Sequence, residues 1–152
     1  MSKKTIKLKK YLDIVEELSK NDGNDITPGM LLGLESDGRV QPHDDQGGDV
    51  LPMFALEDEL QGGTINDDYD TEDDPVQVWV PVRGEIVYAV AASGAISAGD
   101  FVESNGDGKL RALDEDDYAS DDYQAGNRIV GQAVAGKETI SGNEDRVQVR
   151  II

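Results

Sequence analysis

The sequence has no cysteine and a single histidine, His43. The first absence excludes disulfides, thiolate nucleophiles and cysteine-based zinc sites. The second leaves no partner imidazole for a histidine-rich metal centre and makes a catalytic triad hard to build. No apolar run reaches the roughly 18 residues that a membrane-spanning helix needs. No apolar stretch follows the opening Met-Ser-Lys-Lys, so no signal peptide is expected. Bases are scarce too: 14 Lys and Arg stand against 32 Asp and Glu, for a formal net charge of −18. A surface of that sign repels nucleic-acid phosphates and anionic membranes, so neither is an expected partner.

What the chain has is acid, glycine and valine. Three readings of the acid compete: disorder, calcium binding, and adaptation to high salt, where dispersed carboxylates keep a protein hydrated while ions screen their repulsion. A valine-rich core argues against disorder of the whole chain. The spread of acid through every loop favours salt adaptation. Asp22 to Asp25, Asp44-Asp45 with Asp49, and Asp114 to Asp117 each offer oxygens to calcium, but none has the twelve-residue loop with a terminal bidentate Glu. His43, in a polar loop, reads as a solvated side chain. No pair of carboxylates stands out for glycoside hydrolysis, and no glycine turn matches a nucleotide-binding pattern. No catalytic residue, cofactor or metal site is therefore assigned, and an enzyme is not expected.

The longest apolar stretch, Val76 to Ala92, contains the only Trp. Val76, Val78, Val80 and Val82 alternate with Gln77, Trp79 and Pro81, which is strand periodicity. Pro81 excludes a helix and cannot donate to a ladder, so its strand is expected to be an edge or bulged there. Arg83-Gly84-Glu85 breaks the run, and Ile86 to Val90 resumes as a second strand. Short strands are also expected over 30–35, 39–41, 51–56, 129–134 and 147–152. Residues 11–20 fit helical and strand spacing alike, and an otherwise β pattern favours strand.

Ile26-Thr27-Pro28-Gly29 returns as Ile96-Ser97-Ala98-Gly99, 70 residues later. At the same offset, Leu31-Leu32 becomes Phe101-Val102, and Asp37-Gly38-Arg39-Val40 becomes Asp107-Gly108-Lys109-Leu110. The repeat implies two similar hairpins, each with a tight opening turn and an Asp-Gly reversal. The expected fold is all-β: a compact β-barrel or β-sandwich of short hairpins, with long acidic loops and an extended N-terminal arm. Residues 1–25 are assigned to the basic arm and first strand, and 26–152 to a single β-rich domain.

Lys3, Lys4, Lys7, Lys9 and Lys10 give the first ten residues +5, which leaves −23 on residues 11–152. Ile6 and Leu8 alternate with these lysines as in an extended strand. One reading is a frayed, solvated terminus. The other is an arm that adds to a neighbouring sheet edge and sets its lysines on an acidic partner. The candidate interface residues are accordingly Lys3, Lys4, Ile6, Lys7, Leu8, Lys9 and Lys10, together with Trp79 and Pro81 at the expected edge.

Five segments carry a resemblance when taken in order. They are Ile26 to Leu32 with Asp37 to Val40 behind it, Pro52-Met53-Phe54-Ala55-Leu56-Glu57, Val82-Arg83-Gly84-Glu85, and Ala95 to Phe101. Together they resemble the small capsid decoration (cement) proteins of tailed viruses, in the version carried by viruses of halophilic archaea. The resemblance covers most of residues 5–112 and again 146–152. It implies a β-rich protein on the outer surface of the virion, assembled in the host cytoplasm. Such a protein is often a homotrimer that bridges major capsid protein subunits of an icosahedral head, with no catalytic residues. The alternative expectation is a host acidic β-domain serving as a surface or calcium-dependent adhesion module.

Overall fold

The computed structural model describes residues 2–21, 23–114 and 128–152. The chain is all-β, as expected, with no α-helix among the described residues and one short 3-10 turn at Glu59–Gln61. The strands are β1 (Lys7–Lys9), β2 (Val15–Ser19), β3 (Leu32–Leu34), β4 (Val40–Pro42), β5 (Phe54–Ala55), β6 (Pro75–Trp79), β7 (Ile86–Val90), β8 (Phe101–Ser104), β9 (Leu110–Ala112), β10 (Gly131–Ala133) and β11 (Arg146–Ile151). Antiparallel ladders order them as β1-β7-β11-β10-β8-β9, β2-β6-β5 and β3-β4. Residues 15–19 adopt the strand alternative because β6 offers them a ladder from Val15↔Trp79 to Ser19↔Pro75.

The 70-residue repeat is real, and it is much larger than two hairpins. In the first hairpin Leu32 faces Pro42 and Leu34 faces Val40; in the second Val102 faces Ala112 and Ser104 faces Leu110. The register is thus preserved residue for residue. The pairing of β2 with β6 recurs between β7 and β11, where Val15↔Trp79 becomes Ile86↔Arg150 and Ser19↔Pro75 becomes Val90↔Arg146. The pairing of β5 with β6, Ala55↔Val78, recurs as Ala133↔Val149. Even the isolated parallel bridge Lys20↔Val40 has its counterpart in Ala91↔Leu110. The bridge Leu31↔Phe54 sets β3 beside β5, as Phe101↔Gln132 sets β8 beside β10.

The chain is therefore two copies of one five-strand unit, β2-β6-β5-β3-β4 and β7-β11-β10-β8-β9, with β1 added to the second. The strand over 15–19 belongs with residues 26–80, whose β6 it pairs with, and not with the arm.

One hydrophobic cluster is built mainly from the first unit, around Ile26, Leu32, Met53, Val76 and Val78, and takes in Val90 of β7. The larger one is shared: Leu31, Phe54 and Trp79 from the first unit pack with Val87, Tyr88, Val147 and Val149 from the second. Two expectations about an edge fall here. β6 lies between β2 and β5, so it is an interior strand, and Trp79 is 0% exposed. Pro81 lies past the end of β6, where no ladder needs its amide, and it too is buried. Neither residue is available to a partner.

Candidate interaction surface

The N-terminal arm is built into the protein's own sheet. β1 pairs with β7, Lys7 opposite Val87 and Lys9 opposite Ile86 across a bulge, and Tyr88 N–H donates to Ile6 O (2.8 Å). Ile6 is wholly buried in the shared core, and Leu8 packs against that core. Burying the Ile6 side chain alone is worth about 2 kcal/mol. Ile6 and Leu8 are thus corrected from partner contacts to internal anchors, and the arm is neither frayed nor free to join a neighbour's sheet through β1.

Its lysines are sorted by the same folding. Lys7 and Lys10 both reach Asp13 at 2.9 Å, and these bonds hold the Asp13 carboxyl below its usual value. The Lys9 ammonium stands 5.4 Å from the centre of the Tyr11 ring, a cation–π contact. Lys3 and Lys4 are exposed and form no ion pair with a described residue. They line a shallow groove with Glu57, Glu59, Ile65 and Asn66. Of the seven arm residues expected at an interface, these two offer uncommitted charge.

Two buried acids fasten the arm, and both were missed in the sequence. Glu57 accepts from Thr5 Oγ1 (2.6 Å) and Ile6 N–H (3.3 Å). Glu85 accepts from the backbone N–H groups of Tyr11, Leu12 (2.9 Å) and Val82 (2.7 Å). The available signal was a Glu directly abutting an apolar run, in Ala55-Leu56-Glu57 and in Gly84-Glu85-Ile86. A carboxylate placed there needs donors, and the arm supplies them.

Burial would raise the pKa of Glu85, but the amides of Leu12, Val82 and Tyr11 outweigh it and hold the group below the ordinary carboxylate value. A carboxyl whose pKa is lower folded than unfolded gives stability that is complete above the unfolded value and lost as pH falls through the folded one. Acidification below the usual carboxylate range should therefore release residues 11–12. Glu85→Gln should abolish that pH dependence and cost about 1–3 kcal/mol at neutral pH. Amide-exchange protection of Tyr11 and Leu12, followed against pH in both proteins, checks this; identical profiles would assign the release to another group.

Other polar side chains are buried where the units meet, as Arg146 and His43 are, or within the second unit, as Glu103 is. Arg146, wholly buried on β11, donates from Nη1 to Pro28 O (2.8 Å) and from Nη2 to Ile65 O (2.6 Å), and lies 5.5 Å from the Tyr88 ring centre. Burial lowers its pKa, although a guanidinium remains charged. His43 is buried, contrary to the expectation of a solvated side chain. Its Nδ1 meets Ser104 Oγ at 2.8 Å and its Nε2 meets Asp49 O at 3.1 Å. Glu103, wholly buried, accepts from Arg111 (2.7 Å) and Arg128 (3.0 Å).

Among the described residues no group of three acids or histidines is placed to hold a metal ion. Asp44, Asp45 and Asp49 are exposed, as are Asp67, Asp68, Asp70, Glu72 and Asp73. Asp22 and residues 115–127, which include most of the third acidic loop and Tyr118 and Tyr123, lie outside the described residues.

Compared with known proteins, the chain matches no family model and no curated protein sequence.

Proposed function

We propose that the protein is a non-catalytic clamp for a protein shell. In this reading it decorates the outside of the icosahedral head of a tailed virus of a halophilic host, as a homotrimer bound across major capsid protein subunits. The observation that carries the reading is where the quoted segments fall. Thr27-Pro28-Gly29 is the turn that seats one unit on the other, Glu57 and Glu85 clamp the arm, and Ser97-Ala98-Gly99 repeats the turn on the outer side. These are the positions that give the molecule its shape, as a protein whose work is to fit a surface requires.

A clamp that binds only the assembled shell stabilises it by mass action, and a trimer that touches several subunits gains effective concentration at each further contact. In molar salt the screening length is only about 3 Å, so charges act at contact alone. Lys3 and Lys4 are the arm residues with charge to offer at that range.

Deleting the arm would also remove Ile6 from the core, so charge reversal is the cleaner test. Lys3→Glu with Lys4→Glu is expected to weaken binding to undecorated heads about tenfold, or ~1.4 kcal/mol, with the melting temperature unchanged. Undiminished binding would remove the lysines from the contact, and absence of the protein from purified virions by mass spectrometry would sink the whole reading.

A further inference from the structure

The duplication exposes a contact that is used once and built twice. Inside the chain, the turn Thr27–Leu31 of the first unit lies against the outer edge of β7 in the second. Val90 N–H donates to Gly29 O (2.9 Å), and Arg146 Nη1 reaches the neighbouring Pro28 O. Both sides are buried: Thr27, Pro28, Gly29 and Leu31 on the turn, Val87 to Val90 on the strand.

Each side has an uncovered counterpart. The turn corresponds to Ser97–Phe101, with Gly99 at the same φ of 93° as Gly29. A Cβ on Gly29 would strike Tyr88 O at 2.8 Å, whereas one on Gly99 would meet nothing within 4 Å. Leu31 is 0% exposed, while its counterpart Phe101 is 43% exposed. The edge of β7 corresponds to the outer edge of β2. The bonds Lys20 N–H to Asp74 O and Val80 N–H to Ile14 O place the even-numbered residues of β2 against β6. The N–H groups of Val15, Glu17 and Ser19 therefore face outward and meet no described residue, while the bridge Lys20↔Val40 brings β4 to the Ser19 carbonyl at the end of the edge. In the segment that leads into β2, Tyr11 and Leu12 are 63% and 58% exposed, and Ile14 and Val15 are exposed as well. An open strand edge flanked by apolar side chains is a template for pairing.

We propose that a second copy of this chain covers it: the Ser97–Phe101 turn of one molecule docks on β2 of the next as Thr27–Leu31 docks on β7. Ser19 N–H, the counterpart of Val90 N–H, donates to Gly99 O of the neighbour. That oxygen already accepts from Gln132 Nε2 (3.0 Å) and has a second lone pair for the purpose. The contact is head to tail, so it leaves one free turn and one free edge at opposite ends and propagates until a ring closes.

The chemistry differs from the internal contact in one respect. Pro75 stands where Arg146 stands in the second unit, and Glu16, Glu17 and Asp100 bring carboxylates to both faces. Association should therefore tighten as salt screens them. This names the surface behind the trimer of the reading above, yet it is tested on purified protein without heads, so each can fail alone.

Because the chain has no cysteine, Ser19→Cys protein mixed with Ala98→Cys protein in molar salt can be probed with a short bis-maleimide. The mixture is expected to give cross-linked dimer, and either variant alone little. Dimer from Ser19→Cys alone would mean edge-to-edge pairing of β2, and no dimer from the mixture would mean no such contact; either result overturns the proposal. Glu17→Pro removes an outward N–H that β6 does not use, so the fold should tolerate it. Its self-association by sedimentation equilibrium is expected to be at least about tenfold weaker than that of the unaltered chain. Equal association of a folded Glu17→Pro protein would also overturn the proposal.

Discussion

Gly29→Ala should destabilise the protein by about 3 kcal/mol or more, and Gly99→Ala by only about 1–2 kcal/mol. The two glycines share a φ of 93°, so both substitutions carry the same left-handed backbone strain. They differ in surroundings. At Gly29 the added methyl would meet Tyr88 O at 2.8 Å and the Arg146 guanidinium, neither of which yields without disturbing the seam between the units. At Gly99 the space is open. Urea unfolding of both variants in the same salt gives the comparison directly. Equal losses would mean that the seam adjusts and that the strain is all there is.

Trp79→Ala should lower stability by about 3–5 kcal/mol, the cost of emptying a large buried site. Trp79 lies on an interior strand between Val15 and Phe54 and belongs to the core that both units share. Its Nε1 has no hydrogen-bond partner among the described residues. Trp79→Phe therefore removes an unsatisfied donor together with some volume, and should cost much less than Trp79→Ala. Denaturant midpoints of the two variants test this ordering. A Trp79→Ala protein of normal stability that fails only to assemble would return Trp79 to an interface.

The internal duplication was half legible in the sequence, for a physical reason. Gly29 and Gly99 recur because their backbone conformation is one that other residues rarely adopt, and Asp37-Gly38 and Asp107-Gly108 recur because a tight reversal demands such residues. The strands carry no comparable demand. Phe54 answers to Gln132, Trp79 to Arg150 and Pro75 to Arg146, since a ladder is satisfied by backbone groups and accepts whatever side chain its two faces can house. The repeat of β2 and β6 in β7 and β11 is thus visible only as register.

The candidate interface was misread where pairing decides exposure. Pro81 suggested an edge on sound local grounds, but the strand before it ends at Trp79, and the proline lies beyond the ladder. The arm's alternation of Ile6 and Leu8 with lysines correctly implied an extended strand, although it carried no information about whose sheet would receive it. The acids that answer that question, Glu57 and Glu85, are 51 and 73 to 74 residues from the amides of Ile6, Leu12 and Tyr11 that they bind.

The sequence by itself determined the class of the fold, the turns and the character of the surface. Valine alternation, glycine at forced dihedrals and an excess of carboxylates act through local sterics and composition. Only the tertiary structure decided which edges are covered. It folded the basic arm onto β7, buried Trp79 and Pro81, and left β2 and the Ser97–Phe101 turn open. Exposure of a strand edge is a property of what lies beside it, and in this chain the neighbours are tens of residues away.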